Sequence, residues 1–336
     1  MATKTTHTFK TIGPLDLKVD IYTPTSDLSH PSNKPKYTSK SPVILFIHGG
    51  GFVAFDRSHL GPSVIQSALK RGWPLVSTDY RKLPQVRGEE LLEDVKDAYS
   101  FVREDLPGIL AGNTEEKLPP FENVIVVGQS AGGYLALLCG HFKDHRPIAI
   151  LSYYGVTTTS DAMFKRERDP AQPKIPRAYV AHFLDEETSV GSTPAHGAFY
   201  PDCLLPDLTR NPEFVLPARD EGHPAHNRQL LLPYFAQENM FASFMEDVDR
   251  DLEDEGWRDY VPTVFVHGEA DDAVPLQASV NLMEVIGPTP AKLFVAKGAK
   301  HAFDEPFYLG DPEIADVEEG WAALEEIVNA KLNESA

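Results

Sequence analysis

Ser130 carries the strongest chemical signal in this 336-residue chain, within Gly128-Gln129-Ser130-Ala131-Gly132-Gly133. An apolar, strand-like run precedes it and a helix-like run follows. A serine at so sharp a strand–turn–helix bend is held in a strained backbone conformation. Bulky residues two places to either side would collide, which accounts for glycine at 128 and 132. The strain lifts the hydroxyl clear of the sheet, and the helix N-terminus beneath it favours developing negative charge. That is the setting of a nucleophile. A glycine-rich loop packing backbone on backbone would use similar residues, but the flanking strand and helix favour the nucleophile. A second signal is His48-Gly49-Gly50-Gly51-Phe52, directly after the apolar run Val43 to Ile47. Consecutive glycines let bare N–H groups reach a substrate oxygen without side-chain obstruction, as an oxyanion hole requires.

These groups need elements to position them. Thr8 to Ile12 and Leu15 to Tyr22 alternate like strands around the turn Gly13-Pro14. A linker rich in proline, serine and threonine follows, through residue 42. From there short apolar runs alternate with amphipathic ones. Strands are expected at 43–47, 74–78, 123–127 and 148–154, with helices near 59–71, through Leu91, Leu92, Val95, Ala98, Tyr99 and Val102, and at 131–141. Runs buried on both faces, separated by helices, predict a parallel α/β sheet. The alternation stops over 155–260 and resumes with a strand at 263–267, a helix at 276–286, a strand at 292–296 and a closing helix at 312–332. The expected organisation is a catalytic domain of residues 1–154 and 261–336, with 155–260 inserted as a cap over the C-terminal ends of the strands.

With these motifs assembled, the chain resembles the hormone-sensitive-lipase-like esterases of the α/β-hydrolase superfamily. The resemblance rests on HGGGF at 48–52, DYRKLP at 79–84, GQSAGG at 128–133, HGEADDAVP at 267–275 and GAKHAF at 298–303. It implies an α/β-hydrolase fold: a mostly parallel central sheet with flanking helices and an inserted cap. It also implies Ser130 as nucleophile, His301 as general base and Asp271 as the acid that orients it. The N–H groups of Gly50, Gly51 and Ala131 would form the oxyanion hole. The order Ser, Asp, His agrees with the superfamily. Two departures stand out. The family usually has an acidic residue before the serine, where this chain has Gln129. Many members also build their lid from N-terminal helices, whereas here the 155–260 insertion would do that work.

Asp271 and His301 also fit a direct reading, since each follows an expected strand and faces the rim that carries Ser130. Glu269 and Asp272 remain rival acids. Other candidates read as bland. His141 and His145 would share a helix face, but HFKDH lacks the glutamate of a zinc-peptidase motif. His223 and His226 suit a surface loop. The acidic run EDVDRDLEDE at 246–255 lacks the glycine and glutamate of a calcium loop and reads as a solvated helix face. Phe183, Tyr234, Phe235, Phe241 and Phe244 suit either an apolar pocket or the insertion's own core.

Composition narrows the functional classes. Hydrophobic residues at 42% and charged residues at 24% are those of an ordinary globular chain long enough to bury a core without staples. Lysine and arginine number 31 against 50 aspartate and glutamate, a net charge of -19, which repels nucleic acid and anionic lipid. No apolar run approaches membrane-spanning length, and no apolar signal core opens the sequence. Cys139 and Cys203 supply neither a disulfide framework nor metal spacing, so a cytoplasmic setting is the default. The expected activity is hydrolysis of a small or medium apolar carboxylic ester through an acyl-enzyme, with no metal or organic cofactor. Amide or formamide cleavage, acyl transfer and cyclisation by the same residues are alternatives, as is a non-catalytic small-molecule binding protein. Oligomeric state is not legible.

Overall fold

A computed structural model describes residues 2–24, 37–112, 118–159, 174–193, 203–215, 227–250, 252–287 and 291–334. His223 and His226 lie outside these residues. A hairpin of β1 (Ala2–Ile12) and β2 (Leu15–Pro24) opens the chain. Then follow β3 (Val43–Ile47), α1 (Pro62–Lys70), β4 (Leu75–Thr78), α2 (Gly88–Glu104), α3 (Leu106–Leu110), β5 (Val124–Gln129), α4 (Ala131–Cys139) and β6 (Ala149–Tyr153). The stretch after β6 carries the short helices α5 (Arg177–Leu184), α6 (Leu231–Gln237) and α7 (Phe241–Met245). β7 (Thr263–Gly268), α8 (Leu276–Ile286), β8 (Ala291–Ala296) and α9 (Ala315–Glu334) complete the order.

Among the described residues the strands form one sheet in the order β1-β2-β4-β3-β5-β6-β7-β8. β2 pairs antiparallel with β1 and β4, and every later pairing is parallel. The central strands are mostly β-branched, aliphatic or aromatic and buried on both faces, as a helix-covered parallel sheet demands. Alternate side chains feed two cores. Val43, Leu45 and Ile47 face α2, α4 and α8, while Ile44 and Phe46 face α1 and α9. Parallel register gathers the C-terminal ends of β3, β5, β6, β7 and β8 along one rim, the edge where such sheets bind ligands.

The expected α/β architecture is present, with instructive differences. The first strand begins at Ala2 and β5 runs on to Gln129, so the chain turns directly from strand into helix at Ser130. The α3 helix was not anticipated. α4 ends at Cys139, so His141 and His145 do not share a helix face; His145 has φ 55° in the following turn. His141 instead packs against the Trp257 and Tyr260 rings, and burial pushes its imidazole down to about 4. The acidic run begins after α7 rather than forming a helix face. Its Asp249 accepts hydrogen bonds from Tyr134 Oη (2.9 Å), Thr158 Oγ1 (3.0 Å) and the Thr159 N–H (2.9 Å). Phe183, Tyr234, Phe235 and Phe241 are buried, yet not in a separate core: they join the cluster that includes α2 and α4.

No helix among the described residues is long and apolar enough to cross a membrane. On α9, Val317, Trp321, Leu324 and Val328 form one buried stripe against the sheet. Trp321→Ala should lower unfolding stability by about 3–5 kcal/mol, read as a lower urea midpoint with the slope preserved.

Candidate active site

The ends of β5, β7 and β8 carry the central residues of the rim. Ser130 follows β5 with φ 52° and ψ -117°, the strained bend expected of it. Its N–H donates to Tyr153 O at 2.9 Å, and its carbonyl accepts from Tyr134 N and Val156 N. Glycine is required on both sides. A Cβ on Gly128 would lie 2.2 Å from Gly132 O, and one on Gly132 would lie 2.1 Å from Ile47 O and 2.4 Å from His48 O.

His301, in the turn after β8, donates from Nδ1 to Asp271 Oδ2 at 2.8 Å. That tautomer leaves Nε2 to accept from Ser130 Oγ at 3.0 Å. Asp271 follows β7, and its other oxygen accepts from Ala273 N (2.9 Å) and Val274 N (2.8 Å). His267 Nε2 lies 3.4 Å from Oδ2. Burial alone would raise the Asp271 carboxyl. Its hydrogen bonds to His267, His301 and Val274 outweigh burial and hold it well below the ordinary carboxylate range. The rival acids point elsewhere: Asp272 is exposed 3.8 Å from Lys300 Nζ, and Glu269 accepts from Gly298 N. The chain thus brings Ser130, His301 and Asp271 into one hydrogen-bonded line.

The glycine loop adjoins this line. A Cβ on Gly49 would meet Ser130 Cβ at 3.3 Å. Gly50 and Gly51 take φ 96° and 61°, conformations that glycine adopts without strain. The N–H groups of Gly50, Gly51 and Ala131 donate to no acceptor among the described residues. The loop is held from below by the DYRKLP segment. Tyr80 Oη donates to the carbonyls of His48 and Gly49, and its ring stacks on His48 at 4.4 Å. His48 donates from Nδ1 to Gly49 O and accepts at Nε2 from Lys82 Nζ at 2.9 Å. Burial lowers the Lys82 amine to about 7 and drives His48 well below its usual value, so the buried imidazole is neutral. From the 155–260 stretch, Arg228 donates to the carbonyls of Val53 and Leu83, to Gln85 and to Glu186, and Leu232 covers Gly51.

Two residues with no role in the sequence reading stand behind the line. Asp304 is fully buried and accepts from Tyr154 Oη (2.6 Å) and Gln129 Nε2 (3.1 Å). The Tyr154 ring packs edge-on against His301, with centroids 4.7 Å apart. The neutral Gln129 thus faces a carboxyl supplied from another loop. The available signal was HAFD, an acid three residues after the histidine, but its partners are distant in sequence.

The rim geometry and sheet order are those of the α/β-hydrolase fold, in keeping with the hormone-sensitive-lipase-like resemblance. A family model named BD-FAE matches residues 26–165, which include both the glycine loop and the serine bend. Non-reducing polyketide synthase Preu3 of Preussia isomera is 29% identical over 330 residues, covering 89% of this chain. The chain spans about an eighth of that relative's length, 12%. Among solved structures, an alpha/beta hydrolase superfamily protein from Enterococcus faecalis is similar with TM-score 0.64 at 17% identity, covering 97% of this chain and 98% of that one. Thermogutta terrifontis esterase 2, phosphonylated by sarin, is similar with TM-score 0.57 at 17% identity, covering 97% and 94%.

Burial raises the Asp304 carboxyl to about 6, against the lowering effect of its Tyr154 and Gln129 hydrogen bonds. A carboxyl raised in the folded state costs stability when ionised, and the cost is relieved as pH falls from above 6 towards 4. Asp304→Asn removes the charge. Its stability relative to wild type should therefore be more favourable at pH 8 than at pH 5, by roughly 1 kcal/mol, measured by urea unfolding at both values.

Proposed function

We propose that the chain is a serine esterase that cleaves carboxylic esters of small or medium apolar acyl groups through an acyl-enzyme. The observation that carries this reading is the line from Asp271 Oδ2 through His301 to Ser130 Oγ, with steps of 2.8 and 3.0 Å. His301 Nε2 takes the Ser130 proton as Oγ attacks the acyl carbonyl. Asp271, kept ionised by its hydrogen bonds, stabilises the imidazolium and fixes its tautomer. The N–H groups of Gly50, Gly51 and Ala131 receive the oxyanion, and loss of one such donor costs roughly 100- to 1000-fold. The imidazolium then protonates the leaving alkoxide, and water activated by the same imidazole cleaves the acyl-enzyme. In this account residues 1–154 and 261–336 form the catalytic domain and 155–260 the cap. Contacts of Arg228 and Leu232 with the glycine-loop side of the rim support the cap assignment. No step calls for a metal or organic cofactor.

A second reading is favoured by the similarity to a segment of a polyketide synthase. The acyl group would then arrive as a thioester and leave by hydrolysis, transfer to another nucleophile or ring closure. The same residues serve either chemistry. Matched acyl groups offered as p-nitrophenyl esters and as N-acetylcysteamine thioesters separate the two by their kcat/KM ratio.

Wild type should hydrolyse p-nitrophenyl esters between acetyl and octanoyl, while Ser130→Ala and His301→Ala should lower kcat by at least ~10⁴-fold. Asp271→Asn should approach the same loss, whereas Asp272→Asn should retain wild-type turnover. Hydrolysis surviving in Ser130→Ala would refute the mechanism. Absence of wild-type turnover on both ester and thioester would favour the non-catalytic binding protein.

A further inference from the structure

Asp304 is a fully buried carboxyl that touches none of the reacting groups, yet it is fastened to both sides of Ser130. Gln129 is the residue before the serine. Tyr154 follows Tyr153, whose carbonyl accepts the Ser130 N–H. Asp304 itself lies in the turn that begins at His301, in which Ala302 has φ 58°. The turn is thus tied at one point to the two strand ends that set the serine.

The hydrogen bond from His301 Nδ1 to Asp271 fixes one edge of the imidazole but leaves it free to pivot about that bond. The Tyr154 ring packs edge-on against that imidazole at 63°, with centroids 4.7 Å apart, and buttresses it from the side. The Tyr154 hydroxyl is in turn held by Asp304 at 2.6 Å. Packing alone would be served by an apolar side chain, since a buried carboxyl carries a desolvation cost.

We propose that Asp304, acting through Tyr154 and Gln129, is a positioning residue that holds the His301 imidazole in line with Ser130. The proposal rests on the esterase reading above. Tyr154→Phe keeps the ring but frees it from Asp304, and Asp304→Ala removes the anchor altogether. Asp304→Asn keeps an acceptor for Tyr154, and after amide rotation its Nδ2 can donate to Gln129 Oε1, which has no partner among the described residues.

The experiment measures kcat and KM for a p-nitrophenyl ester with wild type, Ser130→Ala and these variants, each checked for native unfolding cooperativity. Misplacement of a reacting group by about an ångström costs ~100-fold. Tyr154→Phe and Asp304→Ala should therefore lose roughly 10- to 100-fold in kcat, with KM changed by less than about threefold, and Asp304→Asn should recover to within about threefold of wild type. If Asp304→Ala fails to fold, Tyr154→Phe decides alone. Wild-type kcat in a folded Tyr154→Phe, or Asp304→Asn as impaired as Asp304→Ala, overturns the proposal. Wild-type turnover that is absent or independent of Ser130 overturns the esterase reading instead.

Discussion

Close backbone approach at Gly132 is the constraint on which the site depends. Its α-carbon passes under the carbonyls of Ile47 and His48 with no room for a Cβ. The contact brings the bend that carries Ser130 against the loop that carries Gly50 and Gly51. In the proposed mechanism this close packing is what sets the N–H groups of that loop beside the serine. The strain at Ser130 follows from the same contact, because the chain must turn from β5 into α4 within a single residue. The surrounding structure determines that bend through Tyr153, Tyr134 and Val156.

A loop of glycines has no side chains with which to hold its own shape, so its order is imported. Tyr80 and the neutral His48 imidazole, itself held by Lys82 Nζ, bind its carbonyls from within the fold, while from the 155–260 stretch Leu232 covers Gly51 and Arg228 holds the Val53 carbonyl just beyond the loop. Burying an amine such as Lys82 is costly, and its lowered affinity for protons is the measure of that cost. These contacts place polar and charged groups in the core, and in the proposed mechanism they preorganise the loop's N–H donors for developing charge.

Legibility in the sequence followed range. The strands, the serine bend and the glycine loop are local patterns, and apolar runs next to glycines at 49–51, 128 and 132 reveal them directly. Asp271 and His301 were placed at the rim by strand position, and only the resemblance separated Asp271 from Asp272; in the structure, backbone donors of 273 and 274 turn Asp271 inward while Asp272 faces Lys300. Asp304 and Tyr154 escaped notice because their meaning lies in pairings across 175 and 150 residues. The histidines at 141 and 145 misled for the opposite reason: i, i+4 spacing has meaning only inside a helix, and α4 stops at Cys139. The aromatic residues of the 155–260 stretch fit a pocket or the insertion's own core equally well by sequence, and only the structure places Phe183, Tyr234, Phe235 and Phe241 in a core shared with α2 and α4.

The most direct test of the account is to treat the protein with a fluorophosphonate and map the adduct by peptide mass spectrometry. One adduct is expected, on Ser130, formed far more slowly in a folded His301→Ala variant. An unlabelled Ser130 in the folded wild type, or labelling at undiminished rate without His301, would contradict it.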